Sequence, residues 1–437
     1  MEEFGAGNRG LGVQLLQLGL LRAGFEPGEA NGEFTEETEA ALKAFQRREK
    51  LPETGRSDPA VWQALMPWLV GSIFYRIQEG DSYWRLSQRF DTSVSALQTA
   101  NPELNPNNLR VGQTIVVPLG YAVVPNDIPF TSTVLELCLT GLQLRYPFLR
   151  VGAIGNSVMG KPLRAVAIGE GQTQVFYNAS HHANEWITTP VLMTFLEQYC
   201  LSLMGRNTLY GYDPWELYRR TTLSLVPMVN PDGVDLVTGA LTEGPYYEQA
   251  RRWAQNYPAV SFPAGWKANL AGVDLNLQYP AEWEEAKRIK ESMGYTSPAP
   301  RDYVGTAPLT QPESLAVYQF TLQNNFRLTL SYHSQGQIIY WKFLDYLPPR
   351  SRAIADAMGE ASGYAVEETP TASGYAGYKD WFIQTYNRPG YTIEVGRGQS
   401  PLPLSQFGEI YADNLGILVL GLALAGTPPI RPVERLC

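Results

Sequence analysis

Most of the chain is predicted to adopt an α/β fold, preceded by two small modules. Its 437 residues exceed what one ordinary core holds, so two or three domains are expected. Apolar residues make up 44% and aromatic residues 12%, which is typical of a folded globular protein. In residues 122–437, β-rich apolar runs alternate with helical patterns, and this alternation predicts an α/β domain.

Charge and cysteine content exclude several classes of protein. The net charge of −9 disfavours nucleic acid or an anionic membrane surface as a partner. Cys138, Cys200 and Cys437 are widely spaced and odd in number, which argues against a disulfide framework. The amino-terminal residues show no basic segment before an apolar one, and no apolar run reaches membrane-spanning length. We therefore expect a chain made in the cytoplasm, without a visible signal peptide.

Residues 1–70 are predicted to form a small all-helical domain. The leucines between Leu11 and Leu21 recur at helical spacing, and two more helices are expected near Glu36–Arg48 and Asp58–Leu65. The segment resembles the peptidoglycan-binding helical repeat, which implies binding to the cell-wall polymer. The resemblance rests on NGEFT at 31–35, AxxxFQ at 41–46 and LxxTG at 51–55.

Residues 73–119 are predicted to form a βααβ module. A strand is expected at Tyr75–Gln78 and a final strand within Val111–Pro118, with two helices between them. The strings GDSYW at 80–84, NP at 101–102 and VGQTIVVP at 111–118 resemble the LysM module, which implies binding of N-acetylglucosamine-containing glycans. The alternative for Gly80–Tyr83 is a GDS-type hydrolase nucleophile. That chemistry needs a histidine base nearby, and the three histidines are better explained elsewhere.

Six strands and three helices are predicted in residues 122–437. The strands are Leu163–Ile168, Gln174–Ala179, Thr222–Val229, Leu328–Tyr332, Gln337–Trp341 and Gly390–Val395, and the helices are Thr189–Leu203, Glu313–Asn325 and Arg350–Ser362. The segment Gly155–Pro162 nearly matches a phosphate-binding loop. Because Pro162 replaces the hydroxyl residue that would bind Mg²⁺, a β-turn between strands is predicted instead.

Two of the three histidines lie in patterns typical of a metal site. His182 and Glu185 form an H-x-x-E just before a predicted helix, and His333 ends an apolar strand. Two histidines and one glutamate with an open fourth position are the ligands of a catalytic zinc, so one zinc per chain is expected. Glu394, inside a β-branched strand, provides the general base that such a zinc needs. His181 faces away from His182 in an extended segment and is expected to pack.

The domain resembles the zinc metallocarboxypeptidases of the carboxypeptidase A superfamily. The supporting strings, in family order, are HANEW at 182–186, NPDG at 230–233, WKAN at 266–269, GVDLN at 272–276, HSQG at 333–336 and Glu394. The resemblance implies a central mixed eight-stranded sheet with zinc at the carboxyl ends of its central strands. Longer strings, including GVDLNxQYPAxW and HSQGxIIYW, are similar to the γ-D-glutamyl-diaminopimelate endopeptidases, which cut the stem peptide of bacterial peptidoglycan.

The resemblance also implies roles near the metal. Asp274 matches the aspartate that accepts the outer N–H of the first histidine ligand. Lys267 stands where carboxypeptidases carry an arginine that stabilises the oxyanion. Asn276 matches half of the pair that grips a terminal carboxylate, but Leu277 replaces the arginine of that pair. Asn184 likewise replaces an arginine. These departures favour an endopeptidase.

Other residues are candidates for substrate specificity. Lys379 precedes Asp380 at the family position that contacts the side chain after the scissile bond, and a cation there suits the carboxylate of diaminopimelate. Arg397 is a second candidate, and solvated surface charge is the alternative for both. Tyr375 or Tyr378 is expected to provide the mobile tyrosine of the family, although neither stands at the usual distance.

The predicted function is that of a zinc-dependent peptidoglycan stem-peptide hydrolase that cleaves the γ-D-Glu–meso-diaminopimelate bond and is held at the wall by its two modules. The alternatives are a zinc carboxypeptidase that trims stem peptides from the carboxyl end, and a non-catalytic wall-binding protein. Wall-binding modules without a visible signal peptide favour action on the cell wall or spore cortex during sporulation, or on cytoplasmic muropeptides.

Overall fold

The computed structural model describes residues 2–205 and 207–433, so Cys437 lies outside the described residues. The chain divides into two compact units. The first contains residues 2–129 and Thr133–Leu149, and the second contains Phe130–Ser132 and residues 150–433. The first unit therefore extends beyond residue 122, where the sequence predicts the α/β domain to begin.

The first unit contains six helices and a two-stranded sheet among its described residues. They are α1 (Leu11–Arg22), α2 (Glu36–Arg48), α3 (Pro59–Val70), β1 (Ser72–Arg76), α4 (Tyr83–Arg89), α5 (Val94–Ala100), β2 (Thr114–Pro118) and α6 (Ser132–Arg145). Side-chain caps begin four of these helices, because Thr35, Asp58, Ser82 and Ser93 each accept a hydrogen bond from a first-turn N–H. β1 and β2 pair antiparallel, which completes the predicted βααβ order.

Arg145 of α6 ties this helix to the segments that surround it in the first unit. Its guanidinium is buried and donates hydrogen bonds to the carbonyl oxygens of Gly71, Leu119 and Tyr121. A buried guanidinium without such acceptors would be costly, so these bonds fix the position of α6. Arg22 of α1 packs against the same segment, with its guanidinium carbon 5.0 Å from the centroid of the Tyr121 ring.

The second unit is built on a mixed eight-stranded sheet, which confirms the predicted fold class. Its strands lie in the order β3-β4-β6-β5-β7-β10-β8-β9, with parallel pairing from β6 through β5 and β7 to β10. The strands are β3 (Arg150–Asn156), β4 (Pro162–Ile168), β5 (Thr173–Ala179), β6 (Thr221–Val226), β7 (Phe326–Ser334), β8 (Ile338–Tyr340), β9 (Ala365–Glu367) and β10 (Gly390–Val395).

Nine helices accompany this sheet in the described residues. They are α7 (Thr188–Gly205), α8 (Pro214–Arg220), α9 (Pro231–Thr238), α10 (Pro245–Ala254), α11 (Trp283–Ser292), α12 (Pro312–Leu322), α13 (Ser351–Ser362), α14 (Tyr378–Tyr386) and α15 (Phe407–Ala423). The central strands β5, β7 and β10 are buried along nearly their whole length, as expected for parallel strands covered on both faces. No described helix is long and apolar enough to cross a bilayer.

The segment that resembles a phosphate-binding loop forms the turn between β3 and β4, as predicted. The N–H of Ser157 donates to the carbonyl oxygen of Lys161, and the N–H of Gly160 donates to that of Ser157. The carboxylate of Glu313 at the start of α12 accepts the N–H of Val158 at 2.9 Å.

Candidate active site

Three predicted metal ligands meet at the carboxyl ends of β5 and β7. His182 and Glu185 lie just after β5, on a short 3₁₀ turn, and His333 is the penultimate residue of β7. His182 Nδ1 lies 2.9 Å from Glu185 Oε1 and 3.1 Å from His333 Nδ1, and His333 Nδ1 lies 2.9 Å from Glu185 Oε2. All three side chains are buried.

The hydrogen bond of His182 to Asp274 shows that this group fits a cation. Asp274 Oδ1 lies 3.0 Å from His182 Nε2, so Nε2 is the ring nitrogen that carries the proton. His182 Nδ1 therefore presents a lone pair to a carboxylate and to a second imidazole nitrogen. Such converging lone pairs repel one another unless a cation lies among them. Burial lowers the pKa of His182, but Glu185 and Asp274 outweigh it and raise the pKa to about 9, so a proton on Nδ1 would take the place of the cation where no metal ion is bound.

Glu394 lies beside this group, on β10, directly opposite His333 in the register of β7 and β10. Its side chain lines the same cavity as the three ligands. Burial and the neighbouring carboxylate of Glu185 raise the pKa of Glu394 to about 8. Positive charge bound at the ligands would oppose both effects and favour the ionised carboxylate that a general base requires.

Lys267 brings a permanent positive charge to the same cavity. Its Nζ lies 3.4 Å from Glu185 Oε1, and its carbonyl oxygen accepts the N–H of Ala183. Burial lowers the pKa of Lys267, but Glu185 and Asp274 outweigh it, so the net shift is upward and the ammonium stays charged. The position suits a group that stabilises negative charge developing beside the metal.

The cavity has a volume of about 510 Å³ and contains a second pair of opposite charges. Lys379 Nζ donates to Asp380 Oδ1 and, at 2.8 Å, to the carbonyl oxygen of Lys342. Both charged side chains are buried at the start of α14. Asn276 lines the cavity next to them, and its Oδ1 accepts the N–H of Tyr378 at 3.1 Å. Lys379 is thus a buried, paired cation, which disagrees with the alternative of a solvated surface charge.

Several residues singled out by the sequence lie away from the reacting centre. Tyr378 is fully buried with its hydroxyl 3.0 Å from Thr321 Oγ1, so it cannot serve as a mobile tyrosine. Arg397 does not line the cavity, and its Nε donates to Gln337 Oε1 at 2.6 Å at an exposed position. Tyr375 lines a second, neighbouring cavity and packs against Phe343.

Leu277 and His181 also belong to the interior. Leu277 packs in an apolar cluster with Trp283 and Val304, so the residue that replaces the clamp arginine contributes nothing to the cavity. His181 is buried with Nε2 2.9 Å from the hydroxyl of Tyr279, which agrees with the expected packing position. Asn184 lines the cavity, with its Nδ2 3.5 Å from the carbonyl oxygen of Ser400.

Two groups at the cavity were not found from the sequence. The N–H of Ser334 donates to Glu185 Oε2 at 3.2 Å and so orients the ligand carboxylate. Arg301 lines the cavity and pairs with Asp302. The adjacent opposite charges in Pro300-Arg301-Asp302 were the available signal, but such pairs are common on protein surfaces.

Comparison with known proteins identifies the family. Residues 135–416 match the sequence profile of the zinc carboxypeptidases. The chain belongs to the zinc carboxypeptidase family. Residues 9–65 match a peptidoglycan-binding domain and residues 75–118 match a LysM domain, so both predicted modules are confirmed. This zinc carboxypeptidase family member is therefore a zinc metallopeptidase with wall-binding modules, and the His182, Glu185 and His333 group is positioned to hold its metal ion.

Individual relatives extend the comparison. The chain is 45% identical over 403 residues to the γ-D-glutamyl-L-diamino acid endopeptidase 1 of Lysinibacillus sphaericus, covering 80% of this chain and 99% of that protein. It is 42% identical over 276 residues to an uncharacterised protein of Bacillus subtilis, covering 62% of this chain and 72% of that protein. The carboxypeptidase A structure from Helicoverpa armigera matches with a TM-score of 0.52 at 17% identity, over 78% of this chain and 80% of that one, which supports the shared fold.

Proposed function

We propose that this protein is a zinc endopeptidase that hydrolyses the bond between γ-D-glutamate and a diamino acid, meso-diaminopimelate, in peptidoglycan stem peptides. The observation that carries the proposal is the complete set of three ligands and Glu394 in a chain that also has two wall-binding modules. The similarity to a γ-D-glutamyl-L-diamino acid endopeptidase along 99% of that protein's length supports the choice of bond.

Each residue around the metal site has a distinct role in hydrolysis. His182, Glu185 and His333 would hold the zinc, which would supply Lewis acidity for activating water and polarising the scissile carbonyl. Glu394 accepts the proton of the attacking water and delivers it to the leaving amine. Lys267 stabilises the negative charge that develops on the carbonyl oxygen, and Asp274 keeps the outer nitrogen of His182 protonated so that Nδ1 remains a ligand.

The paired charges of Lys379 and Asp380 suit a zwitterionic side chain on the amine side of the bond. The distal carbon of diaminopimelate carries both an ammonium and a carboxylate, whereas lysine carries an ammonium alone. When a buried ion pair binds a zwitterion, both charges of the ligand meet an opposite charge. The desolvation of the ligand is therefore better compensated than it would be beside an isolated cation. We therefore assign Lys379 to the carboxylate and Asp380 to the ammonium of the diamino acid.

The surroundings of Asn276 favour an endopeptidase over the carboxypeptidase alternative. Asn276 Oδ1 already accepts the N–H of Tyr378, and Leu277 lies in an apolar cluster. The two-residue clamp for a terminal carboxylate is therefore not assembled from these positions. The non-catalytic alternative leaves unexplained why ligands, base and Lys267 all converge on one cavity.

The two modules at the amino-terminal side give the proposal its setting. Peptidoglycan-binding and LysM domains favour action on the polymer, at the cell wall or the spore cortex, and soluble muropeptides are the other source of the same bond. Each setting offers the same stem peptide, so the chemistry proposed for the cavity holds in all of them.

Digestion of purified diaminopimelate-type sacculi, followed by mass analysis of the fragments, tests the proposed bond. Products with a new amino terminus at diaminopimelate, and stems shortened to L-Ala-D-Glu, are expected. Release of terminal D-alanine alone would establish the carboxypeptidase alternative. The Glu394→Gln protein serves as the control, and wild-type protein that yields no fragments would support a non-catalytic wall-binding protein.

A further inference from the structure

Arg301 is a positively charged residue of the active-site cavity that has no role in the proposed mechanism. It lines the cavity together with the three ligands and Lys267. Its Nε donates to Asp302 Oδ2, and within the described residues its guanidinium has no other hydrogen-bond partner. The side chain is 41% exposed, so part of the guanidinium is available to a bound molecule.

The carboxylate that holds Arg301 is shared with a second cation. Lys290 Nζ, on α11, donates to Asp302 Oδ1 and is nearly buried. Two positive charges thus face one carboxylate, and Lys290 is the more deeply buried of the two. The Asp274 carboxylate, which is bonded to His182, also attracts Arg301, and Arg301 is the more exposed of the two cations.

The other two cations of the cavity already have roles in the proposed function, Lys267 at the developing oxyanion and Lys379 at the diamino acid. Lys267 lies beside Glu185, and Lys379 is paired with Asp380. Arg301 also differs in shape, because a planar guanidinium bonds a carboxylate through two parallel N–H groups. A carboxylate on the substrate is the ligand that this group fits best.

Arg301 and Lys379 belong to different segments of the cavity wall. The N–H of Asp302 donates to Asp274 Oδ2 at 3.3 Å, and Asp274 bonds His182, which follows β5. Lys379 instead bonds the carbonyl of Lys342, which follows β8. Strands β7 and β10, which carry His333 and Glu394, lie between β5 and β8. Because Lys379 is assigned to the diamino acid, Arg301 is the cation of the cavity that remains for the acyl residue of the scissile bond.

We propose that Arg301 binds the free α-carboxylate of the D-glutamyl residue and so selects a γ-glutamyl bond. This inference rests on the proposed function. A γ-linkage uses the side-chain carboxyl group for the scissile amide and leaves the α-carboxylate free, whereas an ordinary α-linked residue has no carboxylate at that place. An anchor for this group therefore distinguishes the two linkages on the acyl side of the bond.

A matched pair of substrates tests the inference on the unaltered protein. One is L-Ala-γ-D-Glu-diaminopimelate, and the other is the same tripeptide with the α-carboxylate of glutamate converted to the carboxamide. We expect kcat/KM to be about ten- to hundredfold higher for the carboxylate form, as for one charge-assisted bidentate bond. The Arg301→Gln protein should lose this preference, with the amide form cut at nearly the wild-type rate, and Arg301→Lys should retain part of it.

Arg288→Gln is the control variant, because Arg288 is an exposed arginine that is also paired with a carboxylate, Glu285. It should leave the preference unchanged. Equal cleavage of the two tripeptides by the wild type would overturn the inference, as would an equal loss of both activities in Arg301→Gln, which would indicate that Arg301 only balances Asp302. If the wild type cuts neither tripeptide but trims longer stems, the proposed function itself fails and this inference with it.

Discussion

His182 shows how one side chain serves two partners at the metal site. Its Nε2 is held by Asp274 at 3.0 Å, and this bond leaves Nδ1 facing Glu185 and His333. His181, the adjacent residue, turns the other way and bonds Tyr279. The alternation of side chains along an extended segment separates a ligand from a packing residue one position away.

The first prediction concerns metal content. The purified protein should contain about one zinc per chain, and His182→Ala or His333→Ala should lose it, because each removes one of three protein ligands. His181→Gln is the matched control, since it should retain zinc. Elemental analysis after dialysis measures the result, and stoichiometric zinc in the His182→Ala, His333→Ala double variant would refute the assignment.

The second prediction concerns Glu394. The Glu394→Gln protein should keep its zinc and its fold but lose roughly three or more orders of magnitude in kcat, because a carboxamide cannot accept the proton of the attacking water. Initial rates on a soluble tripeptide provide the measurement, with metal content as the control. A rate within about tenfold of the wild type would assign the base to another residue.

The structure brings together the three ligands and Glu394 that the sequence singled out, whereas Tyr378 and Arg397 do not line the cavity. His182, Glu185 and His333 follow from residue types and spacing, because few other combinations of ligands are available in a chain with three histidines. Whether the Tyr378 side chain points to the cavity or to the core depends on how the first turn of α14 is rotated about its axis relative to the surrounding segments. No pattern within a single segment contains that information.

At the scale of elements, the turn between β3 and β4 depends on a buried carboxylate from α12. Glu313 accepts hydrogen bonds from Val158 N–H and Asn269 Nδ2, yet it is fully buried. Burial is the largest effect and raises the pKa of Glu313 to about 7, against about 4.5 when exposed. The folded protein therefore holds a proton here that the unfolded chain releases.

The third prediction follows from this difference. Glu313 contributes stability that is fully present below about pH 4.5 and is lost as the pH rises towards 7, a change of roughly 3 kcal/mol. Urea unfolding at several pH values, compared between the wild type and Glu313→Gln, measures it. The difference between the two should vary over this pH range, because other titrating groups, including the metal ligands, affect both proteins alike. A pH-independent difference would contradict the assigned shift.

The fourth prediction concerns the start of α14. The wild type should prefer diaminopimelate to lysine after γ-D-glutamate by about ten- to hundredfold, because lysine lacks the carboxylate assigned to Lys379. Lys379→Met should reduce this preference. Arg397→Met is now the control, since Arg397 bonds Gln337 at an exposed position and should leave the ratio unchanged. Equal cleavage of both peptides by the wild type would exclude this reading of the pair.

Elements with a strong local signal were predicted closely. The helix at Glu36–Arg48 and the strand at Gly390–Val395 have the bounds that the sequence predicted. Strands β3 and β9 and helices α6, α14 and α15 were not predicted, nor were the four helices α8 to α11. β3 is an edge strand with two glycines and little burial, and the four helices have ten residues or fewer, so tertiary contacts outweigh local propensity in forming them.

At the scale of the whole molecule, the division of the chain changes how its wall-binding modules are best tested. The first unit extends to Leu149, and Arg145 of α6 bonds the carbonyl oxygens of Gly71 and Leu119. Removing residues 1–118 would take away Gly71, whose carbonyl oxygen accepts two hydrogen bonds from the buried guanidinium, and would divide this unit. A loss of activity in such a truncation would report instability as readily as a lost anchor.

The last prediction therefore uses point changes in the LysM module. Trp84 and Phe74 are exposed by 66% and 70%, which is unusual for large apolar side chains and suits a surface that stacks against sugar rings. The double variant Trp84→Ala, Phe74→Ala should bind sacculi about tenfold or more weakly in sedimentation assays. It should hydrolyse a soluble tripeptide at the wild-type rate, because attachment acts through effective concentration and leaves the zinc site unchanged.

The control is Tyr246→Ala, which changes an exposed aromatic residue of α10 in the second unit and should sediment like the wild type. Undiminished sedimentation of the double variant would exclude this face as the anchor, and a slower reaction on the soluble tripeptide would show that the module contributes to more than attachment.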